Sequence, residues 1–414
     1  MATAADPATR ETRRFQEKKA LVLDAASALI NDKGAAGMTL AAVAEAVGLN
    51  TASVTYYFKR RDDLAVACYH RALERIEEMV DTAAAEADPR ARVRRYLALN
   101  IDLLRQVRAG EARPITVLSD IRTMEDPVRV TLSDRYRTIM RRVRGFFGPD
   151  HDAATKQRNV ARTHVLLENV YWLPLWLARY SSHDFTRVLA RTMELFEHGL
   201  LPDGAMLPSA TILDITAPAD SAGAAQQRFL QAATRLINER GYRGASVERI
   251  ASELNVTKGS FYHHLEAKDD LVLACFRRSF ETVTQAQRQA DDVGGDHLQR
   301  LMTSFATLLD VQFSERGPLL RTTALQALPT EFREGVIDSS NRMARRFAGT
   351  IIDGISEGSI RAVDPLIASQ MLMPAINSAY ELRNWAAGME EGEGAHGRAW
   401  LRVPHERGGR SGSA

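Results

Sequence analysis

The sequence predicts an all-α protein made of two related modules carried on one chain. Three observations predict it. Apolar residues recur at helical spacing almost throughout, while alternating strand patterns are nearly absent. The 44 residues Ala25–Cys68 lie without a gap over Ala232–Cys275, with 14 identities at one fixed offset. Several mismatches are conservative: Lys33 faces Arg240, Thr39 faces Ser246 and Val43 faces Ile250. An ungapped internal match marks a duplicated supersecondary unit, and two copies make a tandem fusion rather than a solenoid.

Size and composition agree. A chain of 414 residues, 45% hydrophobic and 26% charged, has room for two to three domains, each with its own core. The opening "MATAADPATRETRRFQEKKA" lacks the apolar stretch of a secretory signal. The most apolar run, "VYWLPLWLARY" (Val170–Tyr180), is too short to span a bilayer and contains Pro174. The expectation is a cytoplasmic protein with no membrane segment. Cys68 and Cys275, the only cysteines, occupy matching positions and read as small buried hydrophobes. A net charge of +2 means that any affinity for nucleic acid must come from local patches.

In the first copy, a helix is expected from about Arg14 to Lys33, with Val22, Ala25, Ala26, Leu29 and Ile30 on one face. Gly34 follows as a left-handed stop. In the second copy Phe229, Ala232, Ala233, Leu236 and Ile237 repeat the stripe, and Gly241 repeats the stop. Thr39 and Ser246 are N-caps for short second helices, Leu40–Val47 and Val247–Leu254. Gly48 and Asn255 then hold the same joint, and these are the residue types that best tolerate positive φ. Asn50 and Thr257 cap a third short helix. Ala44 and Ala251 are small enough for a close crossing, which completes a helix-turn-helix.

Within the third helix, Val54 and Phe58, or Phe261 and Leu265, are spaced to face inward. The outward face carries Thr51, Ala52, Thr55 and Tyr56 in copy one, and Lys258, Gly259, Tyr262 and His263 in copy two. Short hydroxyls, a lysine, a glycine and planar rings suit a helix that must reach base edges and phosphates. A solvated helix of an ordinary bundle is the competing reading of that face taken alone. A fourth helix begins near Asp62-Asp63 and Asp269-Asp270, where carboxylates favour a helix N-terminus. Lys59, Arg60 and Arg61, or Lys268, precede it and would lie near the phosphate backbone of a docked duplex.

These residues resemble the tetracycline-repressor (TetR) family of bacterial regulators. "NVTKGSFYHHLEAKDDLV" is similar to that family's turn and recognition helix, with Tyr262 and Lys268 matching its phosphate-binding Tyr and Lys. "GLNTASVTYYFKRRDDLA" resembles it too, with Thr55 in place of the Tyr and Arg61 in place of the Lys. The resemblance covers about 60 residues of each half, and the remainder follows only the family's pattern of variable helical effector domains. It implies a helix-turn-helix head plus a helical effector and dimerisation domain in each module. The DNA-contacting set it implies is Thr39, Asn50, Thr51, Ala52, Ser53, Thr55, Tyr56, Tyr57, Lys59 and Arg61 in copy one. In copy two the set is Ser246, Thr257, Lys258, Gly259, Ser260, Tyr262, His263, His264 and Lys268.

The expected division is a first head at 16–76, a first effector domain at 77–206 and a linker at 207–223. A second head at 224–283, a second effector domain at 284–390 and a disordered tail at 391–414 follow. After copy one, Arg92–Val107, Asp126–Phe147, Ala153–Tyr180 and Phe185–Leu200 read as amphipathic helices. After copy two come His297–Phe313, Glu331–Gly354 and Pro365–Trp385, with no counterpart of Phe185–Leu200. Tyr171, Trp172, Trp176, Tyr380 and Trp385 read first as core or inter-module packing and second as a ligand pocket. In the second case His164, Glu168, Trp172, Asn377 and Glu381 would orient a small apolar effector.

The expected function is a transcriptional regulator, a repressor by the family's habit, acting as a covalent pseudo-dimer whose two unlike recognition helices read an asymmetric operator. Double-stranded DNA is the expected partner, with intramolecular pairing of the modules and pairing of whole chains both open. A helical interaction scaffold is the alternative. No enzymatic role, cofactor or metal is expected: HExxH and CxxC are both missing from the sequence. His263-His264 is the only adjacent histidine pair, and helix neighbours about 100° apart chelate poorly.

Overall fold

The computed structural model describes residues 7–215, 221–244, 247–253, 268–314 and 316–383. These hold α-helices, short 3₁₀ turns and loops, and no strand occurs among them. The first module comprises α1 (Pro7–Gly37), α2 (Leu40–Ala46), α3 (Thr51–Tyr57), α4 (Arg61–Ala84), α5 (Pro89–Arg108), α6 (Val128–Arg144), α7 (Ala153–Leu177) and α8 (Phe185–His198). The second comprises α9 (Ser221–Gly244), α10 (Val247–Glu253), α11 (Lys268–Asp292), α12 (His297–Phe313), α13 (Thr330–Glu357) and α14 (Pro365–Ser378). Asn255, Phe261, Leu265, Trp385 and the tail at 391–414 lie outside the described residues.

The first head forms where the sequence places it. Val22, Ala26, Ile30, Val43 and Val54 meet in a sealed core, and Phe58 closes it. Thr39 Oγ1 accepts the Ala42 N–H at 3.1 Å and Asn50 Oδ1 accepts the Ser53 N–H at 2.8 Å, so both caps are made. Gly48, at φ 65°, turns the chain between α2 and α3. Gly34 differs from the expected left-handed stop: its φ is 70° but its ψ is 166°, and helical residues resume beyond it. The cause is a carboxylate from the loop after α5. Asp120 Oδ2 accepts the Ala35 N–H at 2.7 Å, and a Cβ on residue 34 would meet that oxygen at 2.8 Å. Gly241 repeats the geometry at φ 72° and ψ 167°.

The duplication is visible in hydrogen bonds as well as in letters. The Cys68 thiol donates to the Leu23 carbonyl and the Cys275 thiol to the Leu230 carbonyl, both at 3.7 Å, and burial pushes both thiols upward in pKa. Asn31 donates to the Ile115 carbonyl and accepts from the Val117 N–H. Its equivalent, Asn238, donates to the Leu319 carbonyl and accepts from the Arg321 N–H. One side chain thus ties the first helix of each head to the loop of its own effector domain.

The two modules share one apolar seam. α7 packs against α14, and α8 also reaches α14. Ile101, Leu173 and Trp176 of the first module lie in the same buried cluster as Met302, Phe305 and Ile376 of the second. Crossed contacts reinforce it. The 3₁₀ turn Ser119–Thr123 packs on α9 of the other module, and Thr322–Ala327 packs on α1. Arg122 donates to the Asn238 carbonyl at 3.0 Å, and Arg333 pairs with Asp32 at 3.6 Å. Among the described residues α8 has no counterpart in the second module.

The segment expected as a linker is more than a tether. Residues 207–215 run extended along the second module, and Ile215 enters the seam core. Trp176 is 3% exposed at the centre of this shared core. Trp176→Ala is expected to cost about 3–5 kcal/mol, the usual range for removing a buried aromatic. A urea titration checks it, and a loss below about 1 kcal/mol would show that the seam contributes little to stability.

Candidate nucleic-acid interface

α3 presents Thr51, Ala52, Thr55 and Tyr56 to solvent, with Val54 fully buried behind them. Tyr56 is 75% exposed, the posture of a ring held outward by its helix. Its backing comes from α1: Phe15 sits 6.0 Å from Tyr56 and 4.9 Å from Tyr57, and the two tyrosines meet edge to face at 5.4 Å. Lys19 lies over the Phe58 ring at 5.7 Å. These contacts fix the direction of α3 relative to α1.

Several polar groups of this face are already committed. Asn50 Oδ1 accepts from both the backbone N–H and the hydroxyl of Ser53. Thr55 donates its hydroxyl proton to the Thr51 carbonyl at 2.9 Å, leaving lone pairs outward where a phosphate would require a donor. Arg61 places two N–H groups on Asp62 Oδ1 at 2.9 and 2.7 Å, so its charge is partly neutralised. Lys59 is exposed. At the Tyr and Lys positions of the motif, copy one therefore offers one hydroxyl turned inward and one guanidinium held by a neighbour.

A recess of about 370 Å³ lies between α1 and α3, with Lys18, Asn50, Ser53 and Tyr56 on its rim. Lys18 and Phe15 were not anticipated from the motif. The available signal was the basic-aromatic run "RRFQEKK" just upstream, with Arg14 and Lys18 one helical turn apart. Ser246, Thr257, Lys258, Gly259, Ser260, Tyr262, His263 and His264 of copy two lie outside the described residues. Lys268 is the first residue of α11.

The profile described as "Bacterial regulatory proteins, tetR family" matches residues 13–68 and again 229–275. The chain carries two tetR-family regulatory modules in tandem. It is 26% identical to the HTH-type transcriptional repressor DhaR of Mycobacterium sp. over 139 residues, which is 33% of this chain and 70% of that one. It is 36% identical to the HTH-type transcriptional regulator BetI of Paraburkholderia phytofirmans over 95 residues, 22% of this chain and 46% of BetI. For BetI the chain thus spans under half of the relative's length. A crystal structure of AibR in complex with isovaleryl coenzyme A and operator DNA aligns over 43% of this chain and 96% of AibR, at 17% identity and a TM-score of 0.35. The tetR-family model thus covers the head of each module, and the relatives DhaR and BetI are named as transcriptional regulators. No described helix is long and apolar enough to cross a membrane.

Of the effector candidates, His164, Glu168 and Glu381 come together around the charges of Arg122 and Arg321. Arg122 donates to Glu381 at 2.9 Å, and Arg321, only 7% exposed, pairs with the same carboxylate. Burial works to raise Glu381, but the guanidinium groups of Arg321 and Arg122 outweigh it and hold the carboxyl below its usual range. Burial raises Glu168, with Arg321 opposing. Burial also pushes the His164 imidazole down to about 4, against the pull of Glu381. Trp172 packs on the seam core. The large cavity of this region is lined by Val165 and Asn169 of the same helix, and His164, Glu168, Trp172, Asn377 and Glu381 are not among its lining residues. Neighbouring positions on a helix point about 100° apart, so one helix sets His164 and Glu168 beside the charges and Val165 and Asn169 on the cavity wall.

The His164 imidazole makes a signed prediction. Its pKa in the fold is about 4 against 6.5 when free, so the unfolded chain binds the extra proton first as pH falls. Its contribution is present above pH 6.5 and is lost progressively toward pH 4, by up to ~3 kcal/mol. His164→Leu should therefore gain stability relative to the parent chain as pH falls through this window, measured as the shift in urea midpoint. A constant difference from pH 7 to pH 4.5 would show that His164 titrates normally in the fold.

Proposed function

We propose that this tetR-family regulator binds DNA sequence-specifically as a covalent pseudo-dimer, its two unlike heads reading the two halves of one asymmetric operator. The observation that carries the proposal is the seam with its crossed contacts. Each head's first helix packs on the 3₁₀ turn of the opposite module, so the heads are held as a pair by one folded core. Helix-turn-helix dimers place their recognition helices about 34 Å apart to match one turn of duplex. A chain carrying both helices would meet that requirement without assembly from separate subunits, independent of its concentration.

The identities of the outward residues support asymmetry. Thr51, Ala52, Thr55 and Tyr56 stand against Lys258, Gly259, Tyr262 and His263. The committed hydroxyl of Thr55 and the neutralised Arg61 favour copy two as the stronger phosphate contact. In this reading the chain acts as a repressor responsive to a small effector and has no catalytic role. Thr39 and Asn50 act as caps that set the height of α3, while Thr51, Ala52, Ser53, Tyr56, Tyr57 and Lys59 form its contact surface.

Selection of bound genomic fragments, followed by titration of the selected duplex, tests the reading. A symmetrised operator built from either half-site is expected to bind at least about tenfold more weakly, because a well-read base pair discriminates by about 1–3 kcal/mol. Lys18→Ala should weaken binding to all duplexes alike and lower the salt slope by about one. Equal affinity for every duplex at physiological salt would overturn sequence-specific recognition. An unchanged salt slope in the Lys18→Ala variant would remove Lys18 from the phosphate contacts.

A further inference from the structure

Among the described residues the second module has no counterpart to α8, and the cover of its matching helix differs accordingly. In the first module α8 covers α5, and the Arg90–Glu197 pair at 2.7 Å ties the two helices together. In the second module the matching helix, α12, is covered instead by the chain that leaves α8. Thr303 and Thr307, both fully buried on α12, accept the Thr211 and Leu213 N–H groups at 3.3 and 3.0 Å. The register is physically natural. Four helical residues advance about 6 Å, and two residues of extended chain advance about 6.6 Å. The Arg361 N–H also donates to the Leu200 carbonyl at 3.0 Å, pinning the start of this strap.

An extended strap fills less volume than a helix. Between it and the helices α7, α8, α12 and α14 remains a cavity of about 840 Å³. Leu195, Leu301, Met302, Phe305, Met371 and Leu372 dominate its helical walls, and residues 199–207 of the strap form the remaining side. No lysine or arginine lines it; the one histidine of its lining, His198, has the Glu197 carboxylate 3.7 Å from its Nε2, and Asp203 stands on the strap side, so the site favours a neutral guest over an anion. One polar side chain of α7 is built into the wall. Asn169 is 3% exposed, its Nδ2 donates to the Val165 carbonyl at 2.8 Å, and its Oδ1 has no hydrogen-bond partner among the described residues. The Nδ2 bond fixes which amide atom is the acceptor. A buried, unpaired acceptor costs free energy that a donor from a guest would recover.

We propose that the cavity beneath the strap binds one neutral, largely apolar small molecule carrying a hydroxyl or amine N–H that donates to Asn169 Oδ1. Its size is that of ordinary ligand cavities, about 300–1,000 Å³. Methionines in the wall adapt to irregular apolar shapes. The strap is described to Ile215 and α9, the first helix of the second head, begins at Ser221, so occupancy would bear on how that head is held. That consequence rests on the operator-binding reading above, whereas the binding itself does not.

Titration of the full chain with N-phenyl-1-naphthylamine, a neutral apolar fluorophore with one N–H donor, tests the site without DNA. The expected result is enhanced, blue-shifted emission saturating at one probe per chain. 1-Dodecanol should displace the probe, and dodecanoate at pH 8 should not. Asn169→Leu should weaken the probe by about two- to tenfold, the worth of one hydrogen bond. Ala368→Trp and Ala375→Trp, which fill the cavity from α14, should weaken it at least tenfold while circular dichroism reports an intact helical fold. Absence of saturable binding, displacement by dodecanoate as effective as by dodecanol, or parental affinity in Asn169→Leu would each overturn the proposal. If the filled variants do not fold, the Asn169→Leu and competition results decide it. Because no operator is present, failure here leaves the DNA-reading proposal standing.

Discussion

The shared core between α7 and α14 is the constraint on which the rest depends. In the proposed reading a helix-turn-helix dimer holds its two heads at a fixed distance and angle, and one hydrophobic seam would do the holding. Trp176 and Leu173 from one module interleave with Phe305, Met302 and Ile376 from the other. The crossed 3₁₀ turns then carry that rigidity outward to α1 and α9, each of which touches the opposite module. Asn31 and Asn238 complete the route by tying each first helix to its own loop. In the proposed reading the spacing of the heads would be a property of packing rather than of linker length.

Fusion relaxes a requirement that symmetric dimers must meet. Two identical chains present the same surface twice, whereas a tandem chain lets each half diverge. Among the described residues the seam has diverged: one side has α8 and the other an extended strap on Thr303 and Thr307. The heads have diverged as well. Thr55 turns its proton back to its own helix, and Arg61 is held by Asp62, at positions whose counterparts are Tyr262 and Lys268.

Much of the fold was legible in the sequence because it rests on local rules. Caps at Thr39 and Asn50, the positive φ of Gly48 and the inward Val54 follow from residue type and spacing alone. α12 matches the span that its periodicity predicts. What was not legible depends on groups brought from afar. Gly34 takes an extended ψ because Asp120 reaches it from a loop more than eighty residues away. Phe15 and Lys18 join the reading surface from α1, and the strap finds its hydroxyl partners on α12. The surroundings of the effector candidates were hidden for a related reason. His164 and Glu168 were singled out for their chemistry, but packing turned them toward Arg321 and Glu381, and turned their neighbours Val165 and Asn169 toward the cavity.

The central claim is that one chain supplies both heads to one operator. The most direct measurement is the mass of the complex on a duplex that holds a single selected site, by native mass spectrometry or sedimentation equilibrium. A covalent pseudo-dimer predicts one chain per duplex, unchanged as protein concentration is raised well above saturation. Two chains per duplex at all occupancies would contradict it, and would mean that like heads from separate chains pair on the DNA.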